Sequence, residues 1–227
     1  MVRDMGEGIY QIRGMLVVSY LLVNSKGVTL IDCGFIGHFY HIESALKMAN
    51  RDWSDVQAIL LTHGHLDHTL NLSRIRQKTQ APIYAHPLEK KHIAGTYPYQ
   101  GFSLICGMLE WMGRLILGYQ PVPADQTLTD YQELDLFDGI RVYRLPGHTE
   151  GHCGFYSLKS DILFTGDLFA TGKLRRGLPW FWLNSCPKKF RYSINKVLEL
   201  NPVGVLSNHC DLGSENEQME VFARKFN

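Results

Sequence analysis

Leu61-Thr62-His63-Gly64-His65-Leu66-Asp67-His68 is the stretch that decides how this chain is read. It closes an apolar run, residues 56–62, that reads as a short strand. Four side chains able to bind a metal fall within the six positions from His63 to His68. Neutral imidazole nitrogen and carboxylate oxygen are the donors that borderline divalent metals prefer. Residues two apart in an extended segment point the same way, so His63 and His65 can grip one ion. Asp67 and His68, after a bend, can reach a second ion beside it. Gly64 permits the tight approach. A polar loop with surface histidines is the competing reading, and four donors so closely spaced argue against it.

Working outward, residues 8–13, 15–23 and 28–32 read as strands, rich in Val, Leu, Ile and Tyr and broken at Gly14 and at Asn24-Ser25-Lys26-Gly27. Helices are expected over 38–50 and from His68 to about 78, and a strand over 82–86. Residues 102–119 are almost wholly apolar, yet Ser103, Gly107, Glu110 and Arg114 share one helical face. Glu110 and Arg114 stand at i, i+4 and can pair. The segment is too interrupted to span a membrane. A helix apolar on most sides is usually buried or at an interface, so it is expected to be a cap over the body or a contact with a second subunit. Strands follow over 134–137, 140–145, 153–158, 161–165 and 203–207, with helices over 187–200 and 215–226. Both halves run strands and then helices, which favours two sheets face to face with helices outside, in one domain over 1–227. A helical insertion is expected at about 87–130.

Three further motifs sit at strand ends. They are Leu145-Pro146-Gly147-His148-Thr149-Glu150-Gly151-His152, Phe164-Thr165-Gly166-Asp167, and Ser207-Asn208-His209-Cys210. Singly, Asp167 reads as a turn carboxylate and His209 as a polar core histidine. Their order and shared context give them weight. Together with the first motif they resemble the metallo-β-lactamase superfamily, over most of the chain from Asp32 to His209. The resemblance implies an α/β, four-layer αβ/βα sandwich with a dinuclear site at one edge of the sheets. It implies that His63, His65 and His148 bind a first metal, that Asp67, His68 and His209 bind a second, and that Asp167 bridges them. The metals would be two Zn, with Fe or Mn also possible. Asp32, in Ile31-Asp32-Cys33-Gly34, matches a carboxylate that hydrogen-bonds a metal histidine in that family. His152 matches a supporting position. His38, His41, His86 and His92 match no ligand motif and are assigned to surface or core, and Cys210 is expected to be a bystander.

The same resemblance implies hydrolysis by a metal-bound hydroxide, since a zinc ion lowers the pKa of bound water from about 15.7 to about 7. Asp67 is placed to orient that hydroxide or accept its proton. True β-lactamases carry Cys or Ser where Asp167 stands, so an ester-like bond, in a thioester or lactone, is the expected target. Glyoxalase II of the long type carries a glutathione-binding region after its last metal histidine, and 18 residues follow His209 here. An iron-dependent oxidoreductase of the persulfide dioxygenase type and a phosphodiester hydrolase are the alternatives. The aromatic run 178–183, with Tyr97, Tyr99 and the apolar segment, suggests a substrate with an apolar group. Lys173, Arg175 and Arg176 stand before it and could meet an anionic group, though surface charge is the commoner role.

Composition narrows the rest. The 227 residues are 45% hydrophobic and 20% charged, enough for a sizeable core, and the net charge of +1 gives no basic field for nucleic acid. Five cysteines without CxxC spacing, and no signal-peptide pattern, lead to the expectation of a cytoplasmic protein with a small-molecule substrate, without a membrane span and with a homodimer possible.

Overall fold

The computed structural model describes residues 1–172, 176–210 and 214–226. Its first sheet has seven strands in sequence order: β1 (Val2–Asp4), β2 (Ile9–Arg13), β3 (Val18–Asn24), β4 (Gly27–Ile31), β5 (Val56–Leu60), β6 (Ile83–Ala85) and β7 (Gln126–Thr127). The second sheet holds β8 (Glu133–Leu134), β9 (Ile140–Arg144), β10 (Cys153–Ser157), β11 (Ile162–Thr171), β12 (Arg176–Gly177) and β13 (Gly204–His209). The helices are α1 (His38–Met48), α2 (Leu66–Thr69), α3 (Leu72–Thr79), α4 (Lys90–Ile93), α5 (Leu104–Ile116), α6 (Phe190–Leu200) and α7 (Glu215–Phe226).

The expected four-layer sandwich follows from three separate cores. Because side chains alternate across a strand, each strand feeds two of them. Leu21, Leu30 and Ile59 pack outward against Phe39, Ile42, Leu46, Leu72 and Ile75 of α1 and α3. Their neighbours Tyr20, Leu22, Ile31 and Leu60 turn inward and meet Val142, Phe155, Phe164 and Leu206 of the other sheet. Leu163 and Val205 face away again, onto Phe190, Ile194 and Val197 of α6 and Phe222 of α7. Strands buried on both faces read as continuous apolar runs, which is why their order was legible and their partners were not.

Pairing is antiparallel through β1–β4 and parallel through β4–β7, and β11 pairs β13 in parallel. The helix expected from His68 is two pieces, broken at Leu70-Asn71, where the Asn71 amide donates to the carbonyls of Cys33, Gly34 and Phe35. The expected strand over 161–165 continues to Thr171, so Asp167 lies within a strand and not in a loop after one. In the 87–130 segment the long helix is shorter than expected, and Gln126–Thr127 adds an edge strand beside β6. Its apolar side is not buried either. Of its thirteen residues only Cys106 is.

Candidate metal centre

The seven sequence-selected side chains converge at one edge of the two sheets. Three groups form, within each of which the donor atoms lie within 4.8 Å of one another: His63, His65 and His148; His63, His68 and Asp167; and Asp67, His68 and His209. The first sheet supplies the loop after β5, and the second supplies His148 from the turn after β9, Asp167 from β11 and His209 from the end of β13. Asp167 Oδ1 stands 3.3 Å from His68 Nε2, while its Oδ2 stands 3.5 Å from His148 Nε2 and 3.0 Å from His209 Nε2. Asp67 is the more open carboxylate, 3.7 Å from His68 Nε2 and 3.6 Å from His209 Nε2.

The ring orientations are held from behind. His68 Nδ1 meets Asp32 Oδ2 at 2.8 Å, and His148 Nδ1 meets Asn184 Oδ1 at 2.9 Å. His63 Nδ1 lies 3.0 Å from the Thr62 hydroxyl, and His209 Nδ1 lies 2.7 Å from the Leu16 carbonyl. Each Nε2 is thereby aimed at the cleft. Among the described residues, those of His63, His65, His68 and His148 are buried without a hydrogen-bond partner, as is Asp167 Oδ1. Buried polar atoms are ordinarily satisfied, so these five, gathered in two groups that share His63, fit bound cations as their missing partners.

Asp32 does more than its motif promised. Its carboxylate accepts from the Thr62 amide and hydroxyl and from the Asn208 side chain, tying the ends of β4, β5 and β13 together. His152 has the expected supporting role: its Nε2 accepts the Asp167 backbone N–H at 2.9 Å. Gly166 has φ +55°, and a Cβ there would stand 2.5 Å from that same His152 atom, so only glycine fits beside the ring. Cys210 packs in the inter-sheet core.

Electrostatics divides the site. Burial holds His63 and His65 well below the ordinary imidazole range, so both are neutral donors. Burial acts the same way on His68 and His209, but Asp167 and Asp67 outweigh it, raising His68 strongly and His209 to about 9. Asp167 is driven well below the carboxylate range against its own burial by His209 and His68. Without an ion the Asp167 carboxylate is thus balanced by protons on His68 and His209, and a cation in the cleft would take the place of those protons.

Three partners escaped the sequence reading. Asn184 holds His148, and only its place in the loop that follows the aromatic run hinted at it. Thr62 carried no signal apart from adjoining His63. Glu89 is fully buried, and its two oxygens accept from the amides of Gly64 and Gly151, each at 2.9 Å, joining the two histidine loops. Burial pushes the Glu89 carboxyl up to about 7 against the pull of those two amides. His92, assigned to surface or core, is core: its ring lies 5.2 Å from that of His65 and stacks on Tyr97 at 3.7 Å. Beside it is a cavity of about 370 Å³, lined by Tyr97, Tyr99, Leu104, Met108 and Trp111 among others. Trp180 and Phe181 stay largely exposed, and Phe181 meets Phe102 edge-on at 5.2 Å. Lys173 and Arg175 lie outside the described residues, and Arg176 is exposed on β12. Among the described residues no helix is long and apolar enough to cross a membrane.

Residues 12–207 match the model of the metallo-beta-lactamase superfamily, and the chain belongs to that family. It is 32% identical, over 96% of its length and 94% of the relative's, to a probable metallo-hydrolase, YybB, of Bacillus subtilis. It is 27% identical to the hydroxyacylglutathione hydrolase GloC of Haemophilus influenzae, over 54% of each chain. The fold is that of a metallo-beta-lactamase family protein of Thermus thermophilus, with a TM-score of 0.76 at 22% identity, covering 98% of this chain and 79% of that one. Relatives with assigned names are thus a probable metallo-hydrolase and a hydroxyacylglutathione hydrolase, and the cleft has the donor chemistry of a metal site.

Proposed function

We propose that the protein is a two-metal hydrolase of an ester-like bond, in a thioester or a lactone, and that zinc is its metal. The observation that carries this reading is the set of buried Nε2 atoms converging on Asp167 from both sheets. His63, His65 and His148 would hold one cation, Asp67, His68 and His209 the other, and Asp167 would serve both. Such cations supply Lewis acidity and a water acidic enough to ionise near neutral pH. The chain's own residues supply orientation. Asp32, Asn184 and the Leu16 carbonyl fix the rings of His68, His148 and His209. Asp67, among the described residues the part-exposed carboxylate at the cleft, is the group that orients the attacking water and takes its proton. Kinship with a hydroxyacylglutathione hydrolase supports a thioester in particular.

The test is elemental analysis of the purified protein followed by turnover assays on thioesters, lactones and phosphodiesters. Zinc near two per chain with thioester or lactone cleavage is the expected result. Fully zinc-loaded protein that cleaves none of these sinks the proposal, and iron with persulfide oxidation replaces it by a redox reading.

A further inference from the structure

Helix α5 is turned inside out. At about 100° per residue, Cys106, Gly107, Glu110, Gly113 and Arg114 form its inner arc. There Glu110 accepts the Leu66 amide at 2.8 Å, and Arg114 donates to the carbonyls of Gly64 at 3.0 Å and His92 at 2.9 Å. Gly107 and Gly113 allow the close approach, since a Cβ would come within 2.5 Å of Tyr99 and 2.6 Å of Leu66. The remaining arc, about 160° wide, holds only apolar residues. With Phe102 these outward side chains are between 41% and 74% exposed, Met112 being the least and Ile116 the most.

The size of that face decides what it needs. Aromatic residues offer roughly 150–250 Å² apiece and Leu, Ile and Met come near the low end of that range, so the nine, about half exposed or more, present on the order of 1,000 Å². A monomer's largest apolar patch is about 300–600 Å², and a stable protein interface buries about 800 Å² on each partner. No charged side chain stands on the arc. A membrane-surface helix is rimmed by Lys and Arg on its polar side, but here the one basic residue of α5 is turned into the body. An uncharged face of this size is complementary to itself, and a two-fold axis is the simplest operator that pairs it.

We propose that the exposed face of α5 seats the same face of a second copy of this chain. Leu104, Met108 and Trp111 stand on that face and also line the cavity beside His92, so the partner copy closes the cavity's outer side. The contact is independent of the reaction catalysed.

Sedimentation velocity on the whole protein tests this. At micromolar concentration the unmodified chain is expected at twice its monomer mass. The double variant Leu115→Glu, Ile116→Glu, neither residue lining the cavity, is expected at monomer mass with unchanged far-ultraviolet dichroism. Met112→Lys, on the same arc, repeats the test in a milder form. An unmodified chain that sediments as a monomer overturns the proposal. So does one that remains dimeric with these residues charged. A monomer that binds phosphatidylcholine vesicles through this face also overturns it, assigning the surface to lipid.

Discussion

The metal cleft and helix α5 both reverse the usual placement of side chains, in opposite senses. In the cleft, imidazoles and a carboxylate are buried with donor atoms that have no hydrogen-bond partner among the described residues. On α5, tryptophan, leucine and isoleucine face water while a glutamate and an arginine are turned inward. Burying polar groups without partners costs about 1–3 kcal/mol each, and exposing large apolar groups forgoes about 1.5–3 kcal/mol each. A fold that bears either cost at several neighbouring residues is shaped for something outside itself. The chemistry of the mismatch agrees with the complements proposed for them, metal for the cleft and apolar surface for the helix. The two regions touch, since Glu110 and Arg114 bind the backbone between His63 and Asp67.

The cleft is most vulnerable at Asp167. Asp167→Ala removes the carboxylate that meets His68, His148 and His209. Turnover should fall by more than about 100-fold, the upper end for losing a group that merely supports a ligand, and the metal-to-protein ratio should drop with it. Unchanged metal content would mean that the unmatched nitrogens serve another end. The next largest effect belongs to the helix. Glu110→Ala strands Arg114, which is mostly buried, and deprives the Leu66 amide of its acceptor, so unfolding in denaturant should show a loss of about 3 kcal/mol. An unaltered midpoint would show that apolar contacts alone hold α5.

Two smaller effects sharpen the contrast. Asp32→Asn should weaken metal affinity by about 10–100-fold, read by competition with a chelator, while leaving the fold in place. Glu89 gives a pH signature. Its folded pKa, about 7, lies above the ordinary 4.5, so the folded chain binds more protons in that window. Its stabilising contribution is complete below 4.5 and disappears as pH rises through 7. The difference in unfolding free energy between the chelated wild type and Glu89→Gln, measured in urea, should change by about 1 kcal/mol per pH unit at most. A flat difference would mean that the Glu89 carboxyl titrates normally.

Much of this was legible because the candidate ligands lie in short motifs at strand ends. His63, His65, Asp67, His68, His148, Asp167 and His209 could be named from the order of those motifs and the family likeness they carry. Asp167 was found for a partly mistaken reason: it sits within β11, where the register shifts around Gly166, and not in a loop beyond the strand. The supports Asn184 and Glu89 were hidden because a hydrogen bond across 25 to 62 residues leaves no local pattern. For α5 the periodicity was read correctly, and the polar stripe was identified. Of the two roles open to it, a cap over the body or a contact with a second subunit, burial within the chain accounts for Cys106 alone, because which apolar surface a helix meets is not written in its periodicity.

The donors come from both sheets, with a consequence for the strength of the whole molecule. His63, His65, Asp67 and His68 belong to the first half of the chain, and His148, Asp167 and His209 to the second. A cation gripped by both sets, as proposed, would be a rivet through the seam between them. Each tenfold rise in free metal above its dissociation constant then adds about 1.4 kcal/mol to the work of prying the halves apart. Chelation should be felt first along that seam, as faster amide exchange in the facing strands rather than in the outer helices.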